Sequence, residues 1–369
     1  MTERTQETAQ FRLHPRPAID ASVKKALLAR GTLAVGLRML LTREKYLRSG
    51  LVSVVLPFHD VRNYLRAALE SLRYQRYFDL EVIMVDDGST DGSAAIAEEF
   101  AARDRRFRLL RSENRGLGAA RNLGAARANG RYLMFVDSDD VVPVGAIYHY
   151  VSSLEESGSA FVVGAVDRIR GDDRWRLGWV DEVHSQPRLA TNLAEWPGVL
   201  HNVFAWNKLF RRDFFESQVV GFPEGVLYED QLPIARAYVT ADRFDVLAQT
   251  TYLWRERVGG GSITQRRGDR KNLADRVTAF EQVGQLLADR APENAYRLWL
   301  HKSVFDDLRP FMVASLGADA AYRKELRRVT AALWDQLPES DRFDDRKHHD
   351  AAVRAVLAGD FDGLAVWLA

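Results

Sequence analysis

From residue 51 the chain is ordered by its apolar positions. The run Val52–Leu56 is unbroken, stops at Pro57 and has the length of a buried parallel strand. Leu65, Leu69 and Leu72 then recur at helical spacing between Arg62 and Gln75, which gives that helix one stripe to lay on a sheet. Glu81–Val85 reads as a second strand, cut off by Asp86-Asp87-Gly88-Ser89. Asp91–Ala102 reads as a helix, Phe107–Arg111 as a short strand, Leu117–Asn129 as an Ala-rich helix and Tyr132–Val136 as another strand. This βαβαβαβ alternation predicts an α/β domain on a mostly parallel central sheet with right-handed crossovers, whose ligands bind beyond the carboxyl ends of the strands. The acid clusters fall at such ends.

After Pro143 the rhythm loosens. A helix runs to about Gly158 and a strand from Ala160 to Val166; the polar, Trp-bearing stretch from Arg170 to Trp196 gives no readable element. A helix is predicted over Tyr228–Val239 and a strand over Phe244–Leu247, followed by the glycine loop Gly259-Gly260-Gly261-Ser262. From Asp269 onward the pattern is almost wholly helical, which predicts a separate helical carboxyl-terminal domain.

The composition adds exclusions. With 46% hydrophobic and 28% charged residues in 369 the chain is globular, and its net charge of +1 gives no reason to expect nucleic acid as a partner. Residues 1–50 carry ten Lys/Arg against four Asp/Glu, or +6, which leaves −5 for the remainder. In this basic helical arm Lys24, Lys25, Arg30 and Arg38 alternate with Leu27, Leu28, Leu33 and Leu37. Such an arm can lie on an anionic membrane surface or pack its apolar side on the domain that follows; the interrupting arginines make it neither a spanning helix nor a signal peptide. The chain has no cysteine, so disulfides and thiolate chemistry are excluded and any metal must sit on oxygen or imidazole. That fits a cytoplasmic protein, with peripheral contact at the inner face of the membrane through the arm.

Four constellations carry candidate chemistry. In Val85-Asp86-Asp87-Gly88-Ser89-Thr90-Asp91 a strand ends in acids; Asp91 can simply cap its helix, whereas a carboxylate at Asp87 can accept the N3–H of a uracil ring. Asn114 to Asn122 forms a glycine turn opening a helix, where backbone amides, Gly118, Arg115 and Arg121 could receive phosphate. It is not a dinucleotide fingerprint: Arg121 stands where the third glycine belongs, and the turn follows the third strand, not the first. In Phe135-Val136-Asp137-Ser138-Asp139-Asp140 three carboxylates crowd the end of a buried strand, a repulsion that a divalent cation would offset; oxygen ligands suit Mg²⁺ or Mn²⁺. Glu229 and Asp230 start a helix some 90 residues later, where acids also serve the helix dipole.

Taken together, VSVVLPFHD, LEVIMVDDGSTDGS, NRGLGAARNLGAARANGRYLMFVDSDD, WNKLFRRDFF and YEDQ resemble the family 2 glycosyltransferases, which share the GT-A fold. The resemblance runs from about residue 50 to 265 and is strongest to 140. It implies a nucleotide-binding half at 51–140, an acceptor half at 141–265 and a helical extension at 266–369. It places Asp87 on the uracil, Pro57, Phe58 and Asp60 around base and ribose, Asn114, Gly118 and Arg121 at the nucleotide, and Asp137, Ser138 and Asp139 at ribose and metal. Asp230 becomes the base that deprotonates an acceptor hydroxyl in an inverting transfer, with Trp206, Asn207, Lys208, Glu229, Arg255, Arg257 and Ser262 on the acceptor or diphosphate side. The loop Arg255–Thr264 is then either a flap over the diphosphate or a plain linker.

The implied activity moves a sugar from a UDP-sugar to a hydroxyl of a surface glycan, a lipid-linked glycan or a polyol-phosphate polymer. His59-Asp60 departs from the usual aromatic followed by Asn, and no QxxRW motif follows Asp230, which argues against the processive synthases. A nucleotidylyltransferase would need a basic glycine loop after the first strand, which Pro57-Phe58-His59-Asp60 is not. A catalytically inactive module of this fold, organising an assembly through its arm and tail, is the alternative from another class. Such arms and tails resemble those of actinobacterial wall-polymer enzymes, in which a second transferase can follow, so residue 369 need not be the natural end.

Overall fold

A computed structural model describes residues 50–257, 266–344 and 348–368. Nearly all of the basic arm, and Ser262 with its glycine loop, lie outside the described residues. Nine strands form one sheet in the order β3-β2-β1-β4-β8-β5-β9-β7, with β6 paired to β5. They are β1 (Val52–Phe58), β2 (Leu80–Asp86), β3 (Phe107–Arg111), β4 (Tyr132–Phe135), β5 (Phe161–Arg170), β6 (Asp173–Trp175), β7 (Arg188–Thr191), β8 (Lys208–Arg211) and β9 (Phe244–Arg255). The pairings make β1–β5 and β9 run one way and β6–β8 the other. The sheet is therefore mixed, where a mostly parallel one was expected: β3-β2-β1-β4 and the β5–β9 pair are parallel, while β8 pairs antiparallel with both β4 and β5, and β6 and β7 are antiparallel to their partners.

Strands β1 and β2 are buried along their whole length, because helices cover both faces. Val54, Leu56, Val82 and Met84 face one apolar layer; Val55, Ile83 and Val85 face the other. Crossovers run through α1 (Arg62–Arg73), α2 (Ser93–Arg103) and α3 (Leu117–Ala125). The third crossover carries the chain past β2 and β1 to the far side of β1, so strand order reverses between β1 and β4. A crevice at the carboxyl end of such a reversal is the usual ligand site of open α/β sheets, and Pro57-Phe58 and Asp137 border it here.

Several predicted elements differ in extent. The helix expected from Asp91 begins at Ser93, because Gly92 is left-handed at φ 93° and takes the N-cap position; Asp91, one residue earlier, accepts the Ser93 amide at 2.9 Å and ties the helix start to α1 through the Arg62 amide at 2.8 Å. The strand expected at Phe244–Leu247 continues to Arg255, past a bulge opposite β5. The opaque stretch after Arg170 holds the β5–β6 hairpin, α5 (Gly178–Val183) and β7.

The rest of the described chain includes α4 (Ala146–Ser157), α6 (Gln231–Thr240), α7 (Arg270–Arg290), α8 (Glu293–Lys302), α9 (Arg309–Ser315), α10 (Ala320–Gln336), α11 (His349–Ala358) and α12 (Phe361–Leu368). One apolar cluster runs without a break from Val55 and Phe135 of the sheet through Ile234 of α6 to Leu273, Phe280 and Leu333 of the late helices. The late helices therefore share a core with the sheet. Among the described residues no helix is long and apolar enough to cross a membrane.

Candidate active site

At the end of β2 the two acids divide their work. Asp86 turns back to cap its own loop, accepting the Ser89 amide at 2.9 Å. Asp87 is buried, and its carboxylate accepts the amides of Arg115 at 3.0 Å and Gly116 at 2.8 Å and the Ser112 hydroxyl at 2.8 Å. This corrects one expectation: two amides of the glycine turn, read as a phosphate receptor, are already donated to Asp87. Gly118 has a packing reason as well, because a Cβ there would meet the Pro223 carbonyl oxygen at 2.1 Å. The turn is a joint between the nucleotide half and the segment that leads to Asp230.

Phe58 is buried at the end of β1, and its carbonyl accepts the Asp87 amide at 2.9 Å, so Pro57 and Phe58 form the wall beside that carboxylate. His59 meets the Asp87 carbonyl through Nδ1 at 2.9 Å. A carbonyl only accepts, so Nδ1 carries a proton, and Nε2 stands 3.3 Å from the Asn114 side-chain amide and 3.5 Å from the Asp60 carboxylate. Asp60, left-handed at φ 46°, accepts the Thr90 amide at 2.7 Å. It thereby supports the loop after β2, accepting the Asp91 amide at 3.2 Å as well.

The acid motif after β4 is clasped from β9. The Asp137 amide donates to the Tyr252 hydroxyl at 3.1 Å, the Arg255 amide donates to Asp140 at 2.7 Å, Arg255 Nε donates to the Asp139 carbonyl at 2.8 Å, and Arg257 Nε donates to the Asp139 carboxylate at 2.7 Å. Arg255 and Arg257 also lie over the Tyr64 ring. Ser138 and Asp140 are buried, and burial, together with the neighbouring Asp139 and Asp137, pushes the Asp140 carboxyl well up. The side chain of Asp137 is only a quarter exposed. Burial raises its carboxyl too, opposed by Arg121 and reinforced by Asp139 and Asp230. Asp137 and Asp139 are the carboxylates that could hold a cation, and no group of three such ligands converges among the described residues. Two carboxylates, with water and substrate phosphate completing the shell, is the way proteins usually hold Mg²⁺ beside a nucleotide.

Arg121 joins this motif to the Glu229-Asp230 turn. It is 1% exposed, donates to Asp137 at 2.7 Å and to the Glu229 carboxylate, and lies over the Phe222 ring. Burial alone would lower its pKa; the charges of Asp137, Glu229 and Asp230 outweigh that and raise it. Glu229 is buried against it, and burial lifts its carboxyl to about 7 despite Arg121, with Asp230 and Asp137 adding to the rise. Asp230 is partly exposed. Its side chain does not cap α6, and its one side-chain bond shown is a 3.4 Å contact from Gln231. The carboxylate is thus not used in a side-chain cap, although its place at the start of α6 also complements the helix dipole.

Helix α6 starts three residues later than expected because Tyr228 is left-handed at φ 61°. For a bulky residue that conformation costs on the order of 1–3 kcal/mol, which surrounding contacts must offset.

Three acceptor-side expectations fail on burial. Lys208 is fully buried and its ammonium donates to the carbonyls of Asn202 and Phe204 and the side chains of Asn202 and Asn207, all within 3.1 Å. Asn207 is equally buried and donates to the Gly164 carbonyl at 2.8 Å. Trp206 is 4% exposed and stacks between Phe204 and Tyr252. Trp206 thus props Tyr252, and through it Asp137, while Asn207 and Lys208 are spent on buried bonds within the fold. Tyr252 itself went unread because a tyrosine late in a polar strand carries no sequence signal of its own.

The family model for glycosyl transferase family 2 matches residues 53–218. The glycosyltransferase GlyG of Streptococcus pneumoniae is 30% identical over 243 residues, covering 63% of this chain and 79% of that one. The putative glycosyltransferase EpsH of Bacillus subtilis is 29% identical over 308 residues, covering 77% and 88%. Among solved structures, Staphylococcus aureus TarS 1–349 in complex with UDP-GlcNAc superposes with a TM-score of 0.68 at 20% identity over 86% of this chain and 90% of that one. The chain is a glycosyltransferase of family 2, with the GT-A fold.

Proposed function

We propose that the protein transfers one sugar from a UDP-sugar, with inversion, to a hydroxyl of a cell-surface polymer or lipid-linked glycan, in a catalytic unit spanning 51–265 that the helices from 266 complete. The observation that carries the proposal is the Arg121 joint: one buried guanidinium holds Asp137 of the acid motif and Glu229, and the Asp230 charge acts on both Arg121 and Asp137, which supports a single site for Asp230 and the candidate metal carboxylates. The solved complex of TarS with UDP-GlcNAc supports a nucleotide sugar as donor.

In this reading the Asp87 carboxylate, ordered by three donors, keeps lone pairs for the uracil N3–H, and Pro57 and Phe58 wall the base. Asp137 and Asp139 would hold Mg²⁺ or Mn²⁺, which when bound neutralises charge on the leaving diphosphate. Arg257 must then share the Asp139 carboxylate or release it, and with Arg255 it brings positive charge to the diphosphate side. Asp230 takes the acceptor proton as the sugar carbon is attacked from the face opposite the diphosphate.

Release of UDP from UDP-sugars is expected to require Mn²⁺ or Mg²⁺, and Asp139→Ala to abolish the response to either ion. Turnover measured across a metal titration, with and without EDTA, checks this. Full turnover of the wild-type protein in excess EDTA would leave Asp137 and Asp139 with structural or ribose contacts only.

A further inference from the structure

The turn that presents Asp230 is strapped to the late helices. Tyr228, two residues before Asp230, is left-handed and packs on one face of α7. Its hydroxyl donates to Asn272 Oδ1 at 2.7 Å, the Arg276 guanidinium lies 5.1 Å from its ring centroid, and the preceding amide of Leu227 donates to the Asp275 carboxylate at 3.0 Å. Asn272, Asp275 and Arg276 sit at positions i, i+3 and i+4 of the helix and so share a face. Asn272 and Arg276 are buried, at 1% and 7% exposure.

Arg276 is in turn fixed by Asp307, whose carboxylate it meets at 2.7 Å and Lys302 at 2.6 Å. The Phe311 ring of α9 stands 6.5 Å from that of Tyr228. On the other side, the Tyr228 carbonyl accepts the Gln231 amide at 3.2 Å and the Asp230 carbonyl accepts that of Ile234 at 3.0 Å, so the left-handed residue sets where α6 begins. A relaxed φ at Tyr228 would rotate the Glu229-Asp230 peptide and swing the Asp230 carboxylate.

We propose that Tyr228, Asn272 and Arg276 are positioning residues for transfer: the late helices hold Tyr228 in its left-handed conformation and thereby aim the Asp230 carboxylate into the crevice. This rests on the reading of Asp230 as the base. It gives the late helices a part in turnover, since the strap reaches into the site from 44 residues along the chain. Displacing a reacting group by about 1 Å can cost on the order of 10²-fold in rate, so the strap should act on kcat and leave donor affinity alone.

The test uses the full chain with Mn²⁺ and a panel of UDP-N-acetylglucosamine, UDP-glucose and UDP-galactose, reading kcat and KM for UDP release, with UDP affinity by calorimetry to count folded sites. Tyr228→Phe and Asn272→Leu are each expected to lower kcat per UDP-binding site between about 10- and 100-fold, with UDP affinity within about twofold. The double variant should be no worse than either single one, because both cut the same bond. Asn272→Asp keeps the accepting oxygen and should recover most of the loss. A merely structural strap would lower thermal stability and leave kcat per binding site unchanged. Asp230→Asn is the control that separates the two failures. If it is inactive while Tyr228→Phe and Asn272→Leu turn over like wild type, the positioning role is overturned and the base stands. If Asp230→Asn itself retains turnover, the base assignment fails and the strap's role fails with it.

Discussion

Asp230→Asn is expected to lower sugar transfer by about 10² to 10⁴-fold while UDP and metal affinity stay near wild type. The substitution keeps the shape of the side chain and removes its capacity to take a proton from an alcohol that is a poor nucleophile at neutral pH. Glu229 is the competitor on chemical grounds, since a carboxyl lifted to about 7 is the kind of group that serves as a general base. Burial weighs against it. Its carboxylate lies 5% exposed against the Arg121 guanidinium, where an acceptor hydroxyl cannot reach it, whereas Asp230 is partly exposed and spared from capping its helix. Glu229→Gln should therefore lose far less turnover than Asp230→Asn when the two are measured side by side. A dead Glu229 variant beside an active Asp230 variant would move the base one residue back.

Arg121→Met is expected to destabilise the protein by about 3 to 5 kcal/mol, the usual result of deleting one partner from a buried ionic group. Arg121 is 1% exposed, so solvent screens it little, and its loss leaves Glu229 and Asp137 facing each other without a counter-ion. The deficit has a signed pH dependence. A buried carboxyl whose folded pKa lies above its unfolded value binds a proton in the fold that the unfolded chain has released, so stability falls as pH rises between the two values. For Glu229 in the wild-type protein that window runs from 4.5 to about 7. Without Arg121 both carboxyls move up and the window extends higher, so the gap between variant and wild type should widen from pH 5 to pH 8. Denaturant midpoints across that range check the sign; a gap that narrows with pH would mean Arg121 does not hold ionised Glu229.

What the sequence made legible follows from what buries it. Val52–Leu56 and Tyr132–Val136 could be placed because a parallel strand covered on both faces must be a continuous apolar run, and the acids ending them had to lie at the carboxyl edge. Beyond Leu247 that signal fails. Gln249, Thr250 and Thr251 interrupt the run, yet Thr251 is buried, bonded to the Tyr150 hydroxyl at 2.5 Å and fitted against Gly164. Arg121 was read as a phosphate cation because its partner Glu229 lies 108 residues away, a separation no local pattern encodes. The resemblance sets Lys208 on the acceptor side, and nothing local in the sequence signals a fully buried lysine with four oxygens folded around its nitrogen. The left-handed Tyr228 was hidden for the same reason, since its partners lie on α7 and the neighbouring sequence reads as helix.

The crevice at the ends of β1, β2 and β4 is expected to receive a uridine diphospho-sugar together with a divalent cation. A thermal-shift panel of UDP, GDP, UDP-N-acetylglucosamine, UDP-glucose and UDP-galactose, each with Mn²⁺ and each with EDTA, tests it most directly. A ligand at 100 times its Kd stabilises by about 2.7 kcal/mol, so UDP and at least one UDP-sugar should raise the melting temperature with Mn²⁺, GDP should do so less, and Asp87→Ala should remove the preference for uridine. Stabilisation by GDP equal to that by UDP, or no stabilisation by any uridine nucleotide with Mn²⁺ present, would contradict the account.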